Sequence, residues 1–366
     1  MPAPDDIRWM RTALALGRRG QGRVWPNPAV GCVILRDGRV LGRGWTGPGG
    51  RPHAETLALA QAGKAARGAT AYVTLEPCAH HGQTPPCARA LAEAGVARVV
   101  APLADPDPRV AGQGFEALRQ GGVQVTTGVL AEEAGRDHAG FFLKVEQGRP
   151  LVTLKLASSL DGRIATATGE SRWITGPGAR RLVHAMRARH DAVMVGAGTA
   201  RADDPALTVR DLGIARQPVR VVVSRRLDLP LMGQLARTAR DVPVWLCHGT
   251  DADPALVDTW QGLGARLFPC AVSGGQLDPR AVLQALGQAG LTRVFCEGGG
   301  ALAASLLAAD LVDELAVFTA GLALGAEGWP GLGALGLDRL AEAPRFDLVE
   351  TRPVDGDALH LWRRAM

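Results

Sequence analysis

Residues 76 to 87, EPCAHHGQTPPC, bring two cysteines and two histidines into twelve positions, and an isolated HAE precedes them at residues 53 to 55. Thiolate and imidazole are ligands that zinc prefers. His53, Cys78 and Cys87 supply three of them. A structural zinc site fills all four tetrahedral positions from the protein, whereas a catalytic site uses three and leaves the fourth to water. His80 and His81 lie between the two cysteines, and spacing alone leaves open a closed site completed by one of them. Glu55 favours the catalytic reading. Two residues beyond His53, it is badly placed to ligate in tandem with it, yet a nearby carboxylate outside the metal shell is what zinc–water chemistry needs. Zinc lowers the pKa of its bound water, and the carboxylate carries the proton to a departing amine.

The elements around these residues follow from periodicity. VGCVILRDGRVLGRGW, residues 30 to 45, reads as two strands joined by an Asp37-Gly38 turn. HAETLALAQAG has helical spacing between His53 and Gly63, and PPCARALAEAG predicts a second helix with prolines at its head and Gly95 as its stop. His53 and Cys87 therefore both stand at helix starts, where unpaired N–H groups and partial positive charge favour a thiolate. ATAYVTLEP between them is a strand stopped by Pro77, and VARVVAPLADP and GGVQVTTGV add two more around AGQGFEALRQ. Alternating strands and helices make an α/β layered domain.

Gly and Pro in GFFLKVEQGRP end that pattern and PLVTLKLASSLDGRIA begins another, which sets a boundary near residue 146 and domains at 1–146 and 147–366. The second series has strands at DAVMVGAG, VRVVVS, VPVWLC and RVFCEGGG, and the Gly-rich GLALGAEGWPGLGALGL is expected to loop over a surface. It lacks the G-x-G-x-x-G fingerprint of a Rossmann domain. RVFCEGGGALAASLL instead runs a strand into three glycines and a helix, an arrangement that lets phosphate approach the backbone and meet helix N–H groups. Mere turn geometry is the competing reading of those glycines. Asp203 and Asp204 in GAGTARADDPALTVR read equally well as a cap or a solvated turn.

Composition narrows the partners. Length and a 46% hydrophobic content suit two cores. Six scattered cysteines and no export signal or membrane-length apolar run predict reduced thiols in a cytoplasmic protein. The net charge of +5 suits an anionic partner, but aromatics make up only 4% and no block of basic residues stands out. A phosphorylated small molecule fits better than nucleic acid, and a membrane partner is not expected. Only three of the 41 basic residues are lysines, Lys64, Lys144 and Lys155. Lys155 sits inside the apolar run TLKLA, on one strand face with Thr153 and Ala157, beside Ser158. We expect it to border a binding site where a compact ammonium is useful; the competing reading is a strand lysine turned to solvent.

HAE, TLEPCAHHGQTPPC and PNPAVGCVI together resemble the deaminase half of the bifunctional riboflavin-biosynthesis deaminase–reductases. The H-x-E and P-C elements match zinc nucleobase deaminases generally, though with a wider gap to the second cysteine. The resemblance continues through LKLASSLDGRIA, GESRWITGPGARR, ADDPALTVR and CEGGGALAASLL, nearly the whole chain. It implies a cytidine-deaminase-like α/β/α domain followed by a dihydrofolate-reductase-like α/β domain. Zn2+ would be held by His53, Cys78 and Cys87, with Glu55 as proton shuttle and Asn27, His80 and His81 as substrate neighbours. NADPH would meet Ser158, Trp173, Thr199, Asp203 and the segment Gly299, Gly300, Ala301, Leu302, Ala303, Ala304 and Ser305. Ser171, Arg187, Leu207, Arg210 and Glu297 would contact substrate, the arginines gripping a phosphate. After VRVVV this chain reads SRR where the family usually has Asp-Ser, so Ser224 and Arg225 stay unassigned.

The implied reaction is deamination of a diaminopyrimidinone ribosylamine 5'-phosphate, then hydride delivery from NADPH to the ribosyl C1' to give a ribitylaminouracil 5'-phosphate. A homo-oligomer is expected. The rival readings are a nucleic-acid deaminase, which would need a basic groove rich in aromatics, and a non-catalytic protein binding zinc and a nucleotide.

Overall fold

The computed structural model describes residues 3–79 and 85–365, and the chain divides into two compact units, Met1–Gly148 and Arg149–Met366. In the first unit a five-stranded sheet runs, edge to edge, Arg39–Trp45, Gly31–Arg36, Thr70–Val73, Arg98–Ala101 and Gln124–Thr127. The first two pairings are antiparallel and the last two parallel. Asp37 and Gly38 both take positive φ, the two-residue hairpin turn that their sequence predicts.

Alternation along the strands serves two cores. Cys32 and Ile34 pack with Ala54, Ala58, Leu91 and Leu118 on one face, while Val33 and Leu35 pack with Met10, Leu14 and Ala134 on the other. Helices Ala54–Ala62, Cys87–Glu93 and Gln113–Gln120 thus cover one side, and Pro4–Gly17 and Ala131–Gln147 the other. The two covering helices at the unit's ends are not evident from the motifs. Close helix-to-strand approach depends on two glycines: a Cβ at Gly42 would lie 2.0 Å from the Ala58 carbonyl oxygen, and one at Gly44 2.3 Å from that of Ala54. These contacts seat the helix whose N-cap residue is His53.

The second unit is built on a nine-stranded sheet in the order Arg266–Cys270, Val244–Gly249, Val219–Val223, Ala192–Gly196, Arg293–Cys296, Leu151–Ser158, Glu314–Thr319, Asp357–Arg364 and Phe346–Val354. All pairings are parallel up to Glu314–Thr319, and the final hairpin is antiparallel. From Leu151–Ser158 the chain crosses to Ala192–Gly196 and works outward, then returns with Arg293–Cys296 inserted between those two. Such a reversal opens a crevice at the carboxyl ends of the strands, the usual ligand position in parallel sheets. The Gly-rich stretch after Glu314–Thr319 forms little regular structure and packs down through Gly331 N–H to the Gly162 carbonyl and Gly333 N–H to the Gly300 carbonyl, both 3.0 Å.

Candidate active sites

In the first unit the two helix starts meet. His53 Nδ1 lies 3.7 Å from Cys78 Sγ and 3.3 Å from Cys87 Sγ, and the three ligand atoms lie within 4.8 Å of one another. Tetrahedral zinc with bonds of about 2.0–2.3 Å puts sulfur and nitrogen ligands about 3.5 Å apart, so the donor set fits that ion. Among the described residues no fourth His, Cys, Asp or Glu joins this group. His80 and His81 lie outside the described residues.

Local folding fixes the donors. The Cys87 N–H donates to Cys78 Sγ at 3.4 Å, and the Ala88 N–H to the Cys78 carbonyl at 3.2 Å, so the second helix's free amides hold the first cysteine. The Cys78 thiol is pulled down to about 4, chiefly by the hydrogen bond from Cys87 and, against burial, by His53. The Cys87 thiol is pushed up, because it keeps the shared proton. Glu55 is buried, and that burial, with the Cys78 charge, lifts its carboxyl to about 7. A carboxyl poised near neutrality is suited to taking and returning a proton. Asn27 donates to the Gly50 carbonyl at 3.3 Å in the loop leading to His53.

Glu76 was given no role by the sequence motifs, although it lies in TLEPC. Its buried carboxylate accepts four backbone N–H bonds, from Asp105 (3.0 Å), Gly112 (2.9 Å), Gly114 (2.8 Å) and Phe115 (3.1 Å). It ties the loop after Arg98–Ala101 and the head of Gln113–Gln120 to the residues just before Cys78.

In the second unit Arg187 and Glu297 form a two-pronged ion pair at 2.5 and 2.9 Å, and Arg187 also donates to the Thr208 carbonyl at 2.7 Å. Burial works to raise the Glu297 pKa, but the charge and hydrogen bonds of Arg187, with Lys155, hold it low. Lys155 is half-buried rather than turned to solvent. Burial lowers its pKa, the Glu297 charge opposes this and Arg187 adds to it. Thr153, on the same strand face, instead meets Glu314 (2.9 Å) and the buried His190 (3.0 Å). Arg210 and Ser171 are exposed. Leu207, at φ 52° and 2% exposed, turns its side chain into the core, so only its backbone is free for a substrate.

On the cofactor side, Ser158 closes its strand and Gly298 takes φ 95°, a glycine conformation. A Cβ at Gly299 would come within 3.1 Å of Thr199 Oγ1, so the absent side chain leaves a cradle beside Thr199, ahead of the nine-residue helix Gly300–Ala308. That cradle, backed by helix N–H groups, fits a dinucleotide phosphate. Trp173 is 67% exposed with the Arg180 guanidinium 4.5 Å over its ring. Within the segment 299–305 the helical period divides the residues: Ala301 is exposed, Gly299, Gly300, Leu302 and Ser305 are half-buried, and the Ala303 and Ala304 side chains are buried. The Asp203 carbonyl accepts from Arg172 at 3.1 Å, and Asp204 Oδ1 accepts the Gln234 N–H at 2.7 Å, a capping contact. Arg225 is engaged with Asp251 (2.6 Å) and the Gly275 carbonyl (2.8 Å), while Ser224 is buried against Asp228.

These two constellations define a class: a zinc deaminase domain of the cytidine-deaminase type joined to a dihydrofolate-reductase-like domain. Residues 3–103 match the family model for the cytidine and deoxycytidylate deaminase zinc-binding region, and residues 150–359 that for the RibD C-terminal domain. The riboflavin biosynthesis protein RibD of Escherichia coli is 43% identical over 98% of this chain and 99% of its own. That of Aquifex aeolicus is 38% identical over 98% of each. Among solved structures, Acinetobacter baumannii RibD superposes with a TM-score of 0.87 at 39% identity over 99% of both chains. A Thermotoga maritima diaminohydroxyphosphoribosylaminopyrimidine deaminase/5-amino-6-(5-phosphoribosylamino)uracil reductase gives 0.85 at 35% identity, covering 98% of this chain and 99% of that one. The chain belongs to the RibD family of bifunctional riboflavin-biosynthesis deaminase–reductases. It is an enzyme acting on a small molecule, and among the described residues no helix is long and apolar enough to cross a membrane.

Proposed function

We propose that residues 1–146 carry out the deamination and residues 147–366 the reduction, on a pyrimidine ribosyl 5'-phosphate, through the side chains named above. In the first step His53, Cys78 and Cys87 would hold Zn2+, which when bound supplies Lewis acidity toward the water that adds to the amine-bearing ring carbon. Glu55 takes a proton from the attacking water and delivers it to the leaving amine, so water is consumed and ammonia released. Its burial and its near-neutral pKa support this assignment over a structural one. Asn27, with His80 and His81, flanks the pyrimidine.

For the second step Gly299, Gly300 and Thr199 would hold the phosphates of NADPH, with Ser158, Trp173, Asp203 and the rest of the segment to Ser305 as further contacts; when bound, the cofactor would supply the hydride that reduces the ribosyl C1'. Arg187 and Arg210 grip the substrate's phosphate, Ser171, Leu207 and Glu297 complete the substrate contacts, and Lys155, which feels the charges of Glu297 and Arg187, donates to a sugar oxygen. The observation that carries the reading is the three-donor cluster with a buried non-ligand carboxyl, because among the described residues it leaves one coordination position to chemistry. The 4% aromatic content argues against a nucleic-acid groove. We place the enzyme in the cytoplasm as a homo-oligomer. The test is a single assay of ammonia release and NADPH oxidation on the diaminopyrimidinone phosphate: sequential release and oxidation support the reading, and neither activity from zinc-replete protein refutes it.

A further inference from the structure

The loop that carries Arg210 is built to an unusual specification. Leu207 sits in the left-handed region at φ 52°, flanked by Asp204 at 41° and Asp211 at 59°. Non-glycine residues hold such conformations only where their surroundings enforce them, and they concentrate at binding sites. The enforcing contacts are explicit. Leu207 and Val209 are buried at 2% and 4% exposure, while Arg210 is exposed. The Thr208 carbonyl accepts from Arg187 at 2.7 Å and lies 3.1 Å from His184 Nδ1. Between these anchors and Arg210, Gln217 closes on one residue: the Val209 N–H donates to Gln217 Oε1 at 2.6 Å, and Gln217 Nε2 donates to the Val209 carbonyl at 3.1 Å.

A side-chain amide that both donates to and accepts from one residue's backbone does what a neighbouring strand does in a sheet. It fixes Val209 inward and, by alternation, turns the next residue outward. Gln217 is two residues ahead of the strand Val219–Val223, so the fixture is tied to the rigid sheet rather than to another loop. Among the described residues the Arg210 guanidinium has neither hydrogen bond nor ion pair, although its own N–H is held 3.3 Å from His184 Nδ1. Both backbone groups of Val209 are committed and the charged head of Arg210 is not. An arginine whose backbone is already ordered binds an anion without paying the cost of ordering the loop on arrival.

We infer that Gln217 is a positioning residue of the reductase, holding Val209 so that Arg210 is presented to the substrate's phosphate. The inference rests on the assignment of Arg210 to substrate, and the test separates the two. The full-length enzyme is assayed for NADPH oxidation with the deaminated substrate, with and without its 5'-phosphate, in Gln217→Ala, Gln217→Glu, Arg210→Gln and the double variant Arg210→Gln/Gln217→Ala. Loss of both Val209 bonds should raise KM for the phosphorylated substrate about tenfold, with kcat within about threefold. KM for the dephosphorylated substrate should stay within about twofold, and Gln217→Ala should add less than about twofold in the Arg210→Gln background, since coupled residues are not additive. Gln217→Glu keeps the acceptor for the Val209 N–H and loses the donor to its carbonyl, so its KM should fall between wild type and Gln217→Ala. Ammonia release and thermal unfolding of the same preparations report whether the chain has folded. An unchanged KM in Arg210→Gln overturns the substrate assignment. A raised KM there with an unchanged one in Gln217→Ala and Gln217→Glu overturns the role of Gln217 alone, as does an equal loss on both substrates.

Discussion

Glu76→Gln is a nearly isosteric change with a large expected effect. Each carboxylate oxygen accepts two backbone N–H bonds: Oε2 from Asp105 and Gly112, Oε1 from Gly114 and Phe115. A glutamine keeps one oxygen and turns its NH2 toward the other pair of donors, so two charge-assisted bonds are lost and two buried N–H groups are left facing a donor. At about 1.5–3 kcal/mol for each bond to a charged group, the loss is about 3–6 kcal/mol, a large part of the roughly 5–15 kcal/mol that stabilises a typical domain. For a unit of this size, about 2–4 °C is lost per kcal/mol, so the deaminase unit should melt about 6–24 °C below wild type. The measurement is thermal unfolding of the full chain with zinc in excess, with ammonia release followed as a function of temperature. Because Glu76 is two residues from Cys78, deamination should fail at the lower temperature while NADPH oxidation follows its wild-type curve. A shift below about 3 °C would refute the reasoning that these four bonds are worth what buried charged hydrogen bonds usually are.

Other outcomes follow from the same structure. Glu55→Gln should keep its zinc, measured by metal analysis, and lose about 10²-fold or more in deamination, the scale of general acid–base help. Lys155→Arg should lower NADPH oxidation about tenfold or more, because a wider, planar guanidinium replaces a compact ammonium that feels the charges of Glu297 and Arg187; steady-state rates within twofold of wild type would return Lys155 to a passive place in the strand. His190 is buried, and burial takes its pKa from 6.5 down to about 4. The unfolded chain therefore binds a proton that the folded chain refuses as pH falls from 6.5 to 4, and stability falls by up to about 3 kcal/mol across that window. Denaturant titrations at pH 7 and pH 4.5 should show a smaller drop for His190→Gln than for wild type.

The chemistry of the first site is legible because it is local: His53 and Cys87 announce themselves as helix starts by the patterns that follow them, and Asp37-Gly38 specifies its own turn. Glu76 and Gln217 are not legible. Each acts on backbone groups, Glu76 on N–H donors 29 to 39 residues away and Gln217 on a residue eight away, and a backbone amide leaves no mark in the sequence. The helical period also limits what a motif says: Gly299 to Ser305 reads as one binding segment, yet Ala303 and Ala304 point into the core. The strands Glu314–Thr319, Phe346–Val354 and Asp357–Arg364 escape the motifs because the first is placed by pairing with Leu151–Ser158, far earlier in the chain, and the hairpin of the other two by pairing in turn with Glu314–Thr319. Lys155 combines the two cases: its oddity shows in the composition, but Glu297, just past a neighbouring strand of the sheet, and Arg187, on a helix, act on it from far along the chain.

Three side chains that hold a metal in one half of the chain, with separable chemistry in the other, make Cys78→Ser the sharpest test, by metal analysis alongside both half-reactions on the same preparation. Wild type should hold about one zinc per chain and the variant should lose most of it. Ammonia release should vanish with it, while NADPH oxidation of the already deaminated substrate continues at the wild-type rate. Full zinc and full deamination in Cys78→Ser would contradict the ligand assignment, and loss of both activities together from folded protein would contradict the independence of the two sites.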